Sequence, residues 1–136
     1  MVDVTLTAAD VVAGSGAIVV EGTAGETIAQ GKAVCLNASN EYVLADCTDA
    51  DLDAAAGFAL TASIDGGPIK VLTGGNMTTD EQLTAGEAYF LNTTAGSIGL
   101  YADLTGGTDY ITYVGTASTT SAMVVRVHAS GVKLHA

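Results

Sequence analysis

Two cysteines, two histidines and a short run of aspartates are the residues of this 136-residue chain with the chemistry for reactivity or metal binding. Cys35 and Cys47 flank the turn signal Asn37-Ala38-Ser39-Asn40. With Ser39 and Asn40 at the centre of the turn, Cys35 lies across from Leu44 and Cys47 is displaced, so a disulfide requires a longer or bulged loop. The expectation is two buried thiols. Asp49, Asp51 and Asp53, with Asp46 just before them, match the first half of a calcium loop. Its sixth position is Ala54 where the turn needs Gly, and its twelfth is Leu60 where the ion needs a bidentate Glu. A solvated acidic loop is therefore expected. His128 and His135 are seven apart, which places them on opposite faces of a strand, and neither has a cysteine at zinc spacing. The stretch from Gly25 to Ala33 resembles a phosphate loop, but five residues separate Gly25 from Gly31 where that loop has four, and Ala33 stands where Ser or Thr must meet magnesium. No Gly-x-Ser-x-Gly elbow is present. The residues thus lead to no catalytic site, no metal and no cofactor, and to a protein that is not an enzyme.

Two further sets of residues have simpler readings. Asn37, Asn76 and Asn92 open glycosylation sequons, which read as turn chemistry in the absence of a secretory signal. The large residues are Tyr42, Phe58, Tyr89, Phe90, Tyr101, Tyr110 and Tyr113. Tyr89 and Phe90 are adjacent, so in a strand one fills the core and the other faces a contact surface.

The elements that must position these residues are short. Gly, Asp and Asn recur between segments rich in Val, Ile, Thr and Tyr, a pattern of strands and turns. Strands are predicted at 17–21, 33–37, 42–45, 57–61, 69–73, 88–92, 99–102, 110–118 and 122–128, with hairpin loops at 37–40 and 92–96. The best helical candidates are 48–56 and 79–83. Pro68, the sole proline, is expected to open a strand or lie at an edge. Residues 26–37 align without gaps on 81–92, with identity at Glu26/Glu81, Gly31/Gly86, Ala33/Ala88, Leu36/Leu91 and Asn37/Asn92. Each copy runs into a hairpin, then a Gly-x-Ala segment (Gly57-Phe58-Ala59, Gly115-Thr116-Ala117), then an apolar strand. The expected fold is all-β: an antiparallel barrel or sandwich built from two similar halves, about 24–75 and 79–131, with little helix. Residues 17–136 form a single domain, and 1–16 an N-terminal arm or first strand.

Composition sets the class. The chain holds 15 Asp plus Glu against 4 Lys plus Arg, a net charge of −11. That balance opposes binding to nucleic acid or to an anionic membrane, since both need clustered cations. Ala, Thr and Gly number 23, 18 and 17, whereas Phe and Tyr together number 7 and Trp is absent. Small side chains remove little apolar area each, so the core is expected to be thin and completed by association. Met1-Val2-Asp3-Val4 lacks the basic start and apolar run of a secretory signal, which leads to a protein made in a cytoplasm.

With the repeat laid out, the chain resembles the small head-decoration, or cement, proteins of tailed bacteriophages. The resemblance is carried by Ala24-Gly25-Glu26-Thr27-Ile28-Ala29-Gln30-Gly31-Lys32-Ala33-Val34, by Ala54-Ala55-Ala56-Gly57-Phe58-Ala59-Leu60 and by Leu83-Thr84-Ala85-Gly86-Glu87-Ala88-Tyr89. It continues in residues 102–111, 114–120 and 124–128, and spans roughly 17–136. It implies a structural virion protein on the outer capsid surface, a dimer or trimer that bridges major capsid proteins. Related patterns occur in phage head-fibre and tail proteins, whose modules bind receptors or glycans. Val2, Val4, Leu6, Val11 and Val12 alternate softly ahead of the first strand. They are the expected capsid contacts if this arm adds a strand to an exposed edge; otherwise the segment is a strand of the same barrel.

Overall fold

The computed structural model describes residues 10–49, 52–80, 82–92, 94–100 and 110–133. Among these residues ten strands follow in order: β1 (Val12–Ala13), β2 (Ile18–Thr23), β3 (Ala33–Leu36), β4 (Tyr42–Leu44), β5 (Gly57–Ala59), β6 (Pro68–Thr78), β7 (Ala88–Leu91), β8 (Ile98–Leu100), β9 (Tyr110–Thr119) and β10 (Ala122–Lys133). The protein is all-β, one curled antiparallel sheet ordered β4-β3-β5-β6-β10-β9-β7-β8, with β1 and β2 paired to β6. Pro68 opens β6, where its missing N–H costs no ladder bond in mid-strand.

Both helical candidates are corrected: no α-helix forms among the described residues. Local turns and long-range bonds claim the backbone instead. At 48–56, the Asp46 carboxylate accepts from both the N–H and the Oγ1 hydroxyl of Thr48, and Asp46 N–H donates to Leu52 O, folding the segment back. This is the turn chemistry that lowers helix propensity at Asp and Thr. At 79–83, Thr79 N–H donates to Ser121 O and Leu83 N–H to Thr120 O, which ties the segment to the β9–β10 turn. The first hairpin is also shifted by one residue from expectation: Cys35 pairs with Val43 rather than Leu44. Asn40, at φ 60°, supplies the left-handed residue of a longer turn closed by Asn37 N–H to Glu41 O.

The strand order reads the same from either end, and the register repeats with it. In the first half Val34 faces Leu44 and Gly57, Phe58 faces Ala33 and Leu72, and Ala59 faces Val71. In the second, Tyr89 faces Leu100 and Gly115, Thr116 faces Ala88 and Val124, and Ala117 faces Met123. The turns match as well. Gly31 (φ 91°) and Gly86 (φ 86°) precede β3 and β7, and their N–H groups donate to Ala59 O and Ala117 O at 2.8 and 2.7 Å. The correspondence starts earlier than the sequence alignment: β2 pairs Val19 and Val20 with Leu72 and Val71, as residues 76 and 77 of β6 pair with Val124 and Met123. Each unit is therefore five-stranded, and β6 serves both, as the second strand of one and the first of the other.

The first unit closes on itself. Beyond β2, Ala24 bridges Tyr42 of β4, and Gly25 N–H donates to Tyr42 O at 2.8 Å. The small core inside this ring comprises Ala24, Ile28, Val34, Tyr42, Ala59, Ile69 and Val71. The main core lies on the other side of the same strands. It joins Ala33, Cys35, Phe58 and Leu72 of the first unit to Met77, Tyr89, Leu91, Ile98, Val114 and Met123 of the second. In β6, Val71 belongs to the small core and Leu72 to the main one, yet Met77 also faces the main core. Strict alternation would put Met77 with Val71. The break falls between Leu72 and Gly75: the β2 register passes from Leu72 to Gly74, skipping Thr73, and Gly75 takes φ 86°. This glycine bulge reverses the inside and outside of the strand.

Candidate interaction surfaces

The residues with reactive chemistry are spent on structure. Cys35 and Cys47 are both free and buried. Burial, reinforced by the carboxylates of Asp53, Glu26, Asp49 and Asp46, pushes the Cys35 thiol from 9.0 up to about 11, so it stays protonated and unreactive at neutral pH. The acidic loop is tied into the fold: Thr112 Oγ1 donates to Asp53 O at 2.6 Å, and Asp53 itself is buried. Among the described residues no group of three or more His, Cys, Asp or Glu is placed to hold a metal. In the glycine-rich stretch from Gly25 to Ala33, the N–H groups of Gly25, Ile28, Gly31 and Ala33 all donate to backbone carbonyls, which leaves no cradle for a phosphate. Asn37 Oδ1 accepts from Ser39 and Glu41 N–H, and Asn92 is buried, as turn and core roles require. His128 is exposed on β10, and His135 lies outside the described residues.

The segment ahead of β2 divides. Val2, Val4 and Leu6 lie outside the described residues. Val11 is wholly buried in the main core, its carbonyl accepting from Gln30 Nε2 at 2.8 Å. Val12 sits exposed in β1, paired to Thr78. Residues 12–13 are thus a strand of the same sheet, and Val11 is a core residue rather than an outward contact.

What the fold leaves for contact is apolar. β2 pairs along one edge with β6, and among the described residues its Ile18-Val19-Val20 stretch has no strand on the other edge. Edge strands usually carry charges or caps that block further pairing. β4, at one end of the main strand order, has such a cap: Glu26 Oε2 accepts from Leu44 N–H at 3.0 Å. On β2 the one charge, Glu21, is paired with Lys70 at 3.9 Å. Beside it lies a shallow apolar depression of about 630 Å³, lined by Ile28, Ala29, Ala62, Ile64 and Pro68.

A second face spans the other unit. Tyr89 is buried and its hydroxyl accepts from Thr84 N–H at 2.8 Å, while Phe90 is half-buried, packs against the rim of the main core and meets Tyr113 edge-to-face at 5.8 Å. The Tyr113 hydroxyl is hydrogen-bonded to Thr116 Oγ1. Val124, Arg126 and His128 of β10 continue the same exposed face. Neither surface was named from the sequence. The signal for the second was there: residues 110–133 contain no Asp or Glu, although the chain has 15. Neither a family model nor a curated protein matches the chain.

Proposed function

We propose that this chain is a structural virion protein that binds the outside of a tailed-phage capsid and stabilises contacts between major capsid proteins. The observation that carries the reading is the apolar area on an otherwise acidic β scaffold, with Val12, Ile18, Val19, Val20, Leu36, Ile64 and Val124 all exposed. Such area suits binding to another protein surface. The resemblance of residues 17–136 to cement proteins supplies the partner class, and the net charge of −11 fits a surface kept away from packaged genome. The test is co-sedimentation of the purified protein with undecorated heads of the phage that encodes it. Near-stoichiometric binding is the expected result; absence of binding overturns the reading. Deletion of residues 2–9, which spares the buried Val11, is expected to lower occupancy with no change in melting temperature if the arm takes part.

A second reading, a receptor- or glycan-binding module of a head fibre or tail, draws on the half-buried Phe90–Tyr113 pair, since sugars stack on aromatic faces. Glycan-array binding without capsid binding selects it.

A further inference from the structure

Two strands in equivalent places differ at one edge. Residues 76 and 77 of β6 correspond to Val19 and Val20 of β2. Met77 has a neighbour on each side, Met123 of β10 and Ala13 of β1, and Gly14 N–H extends the second pairing to Asn76 O at 2.8 Å. Val19 and Val20 have β6 on one side and, among the described residues, no strand on the other. β4 meets this edge only beyond the end of β2, where Ala24 bridges Tyr42.

The backbone of the bare edge is set to pair. Lys70 faces Glu21, but its N–H donates to Thr61 Oγ1 at 3.1 Å and its carbonyl accepts from Leu60 N–H at 2.8 Å, both on the side away from β2. Glu21 and Lys70 are therefore a pair without mutual backbone bonds, and Glu21 turns its own N–H and C=O outward. Alternation turns those of Val19 outward as well. Gly25 keeps the same phase, its N–H donating outward to Tyr42 O. The bulges and prolines that guard natural edges are absent between Val19 and Glu21, since the register shift falls before Val19.

Side chains and charge define what fits. Ile18, Val19 and Val20 are all exposed, and the apolar depression adjoins the end of the strand, because Pro68 lines it and pairs with Thr23. Residues 17–73 carry eight of the 15 Asp and Glu against Lys32 and Lys70. The matching occupant is extended, apolar at alternate positions and basic at its ends.

We propose that β2 accepts such a segment of a partner protein as an added antiparallel strand, seated as β1 is seated on β6, with a partner N–H donating to Val19 O. That the segment comes from a shell subunit rests on the shell-binding reading; the slot itself does not. The probe is a short synthetic peptide of alternating valine and threonine with a lysine at each end, titrated into the full chain and followed by amide NMR. Shifts at residues 18–23, slowed exchange of the Val19 and Glu21 N–H groups and weaker binding in high salt are expected. Val19→Pro removes an outward N–H and no ladder bond, and should weaken binding about tenfold or more. Glu21→Lys, a change on an exposed side chain that leaves the backbone alone, should weaken it about threefold. Val124→Asp, away from β2, should leave it unchanged. Shifts confined to other residues, binding indifferent to both β2 substitutions, or two copies of this chain pairing through β2 overturn the proposal. Heads that bind the parent and Val19→Pro chains alike also overturn it, whereas peptide binding without head binding overturns only the shell-binding reading.

Discussion

Leu72 and Val124 hold the same position in two strand arrangements of one design, yet Leu72 is wholly inaccessible and Val124 nearly half exposed. The residue types do not explain this, because both are aliphatic and both sit in strands of matching register. The cause is local and lies elsewhere in β6. One extra residue between Leu72 and Gly74, followed by Gly75 at positive φ, reverses which side of the strand points inward, so the first unit turns its back to the common core while the second turns its front. A pattern of apolar residues thus specifies that a face can be buried, and backbone geometry at a single step decides whether it is.

The sharpest way to break the comparison is at that step. A Cβ at Gly75 would lie 2.2 Å from Gly16 O, on a backbone with φ 86° that side chains rarely adopt. Gly75→Ala is expected to destabilise by about 4 kcal/mol or more, near the upper end for single substitutions, as read from urea unfolding. Next in size is the direct test of the two equivalent positions. Leu72→Ala should cost about 2–5 kcal/mol, the range for buried leucine. Val124→Ala should stay within about 0.5 kcal/mol in the isolated subunit. Equal costs would show that the two faces are alike after all.

A smaller effect separates the first unit by pH. Folding raises the Cys35 pKa from 9.0 to about 11 by burial and then by nearby carboxylates, so the folded state holds this proton more tightly than the unfolded chain. The resulting stability is complete below about pH 9 and is lost as pH rises toward about 11. Cys35→Ala should flatten that part of the stability curve relative to the parent, and an unchanged slope would remove the thiol from the account. The smallest effect is expected at the rim of β2, where Lys70→Ala removes a solvent-exposed ion pair and should change stability by no more than about 0.5 kcal/mol.

Much of the strand plan was legible because Gly, Asn and Asp mark the turns. The predicted segments at 33–37, 42–45, 57–61 and 88–92 each overlap an observed strand to within a residue or two. Length was harder: β6 and β10 run past their predicted ends, because Gly74, Gly75 and Gly131 read as stops yet lie within paired strands. The first unit's fifth strand was predicted at 17–21, but its correspondence to a strand of the second unit was hidden. Ile18-Val19-Val20 and Gly75-Asn76-Met77 share no identical residue, and only their common pairing shows that they correspond. The contact surfaces were the least legible part. Which side of Val124 meets water depends on the bulge, and no periodicity within β10 reports on a glycine nearly fifty positions earlier. The acid-free stretch at 110–133, by contrast, could have been weighed from the sequence alone.

The double use of β6 has a consequence for how the chain comes apart. Residues 68–73 complete one unit and 74–78 the other, so a cut between them leaves the second unit's fragment holding its edge strand and the first unit's fragment deprived of the support that buries Leu72 and Phe58. Neither piece can melt while the other stays whole, and the protein should unfold as one cooperative block despite its two-part architecture.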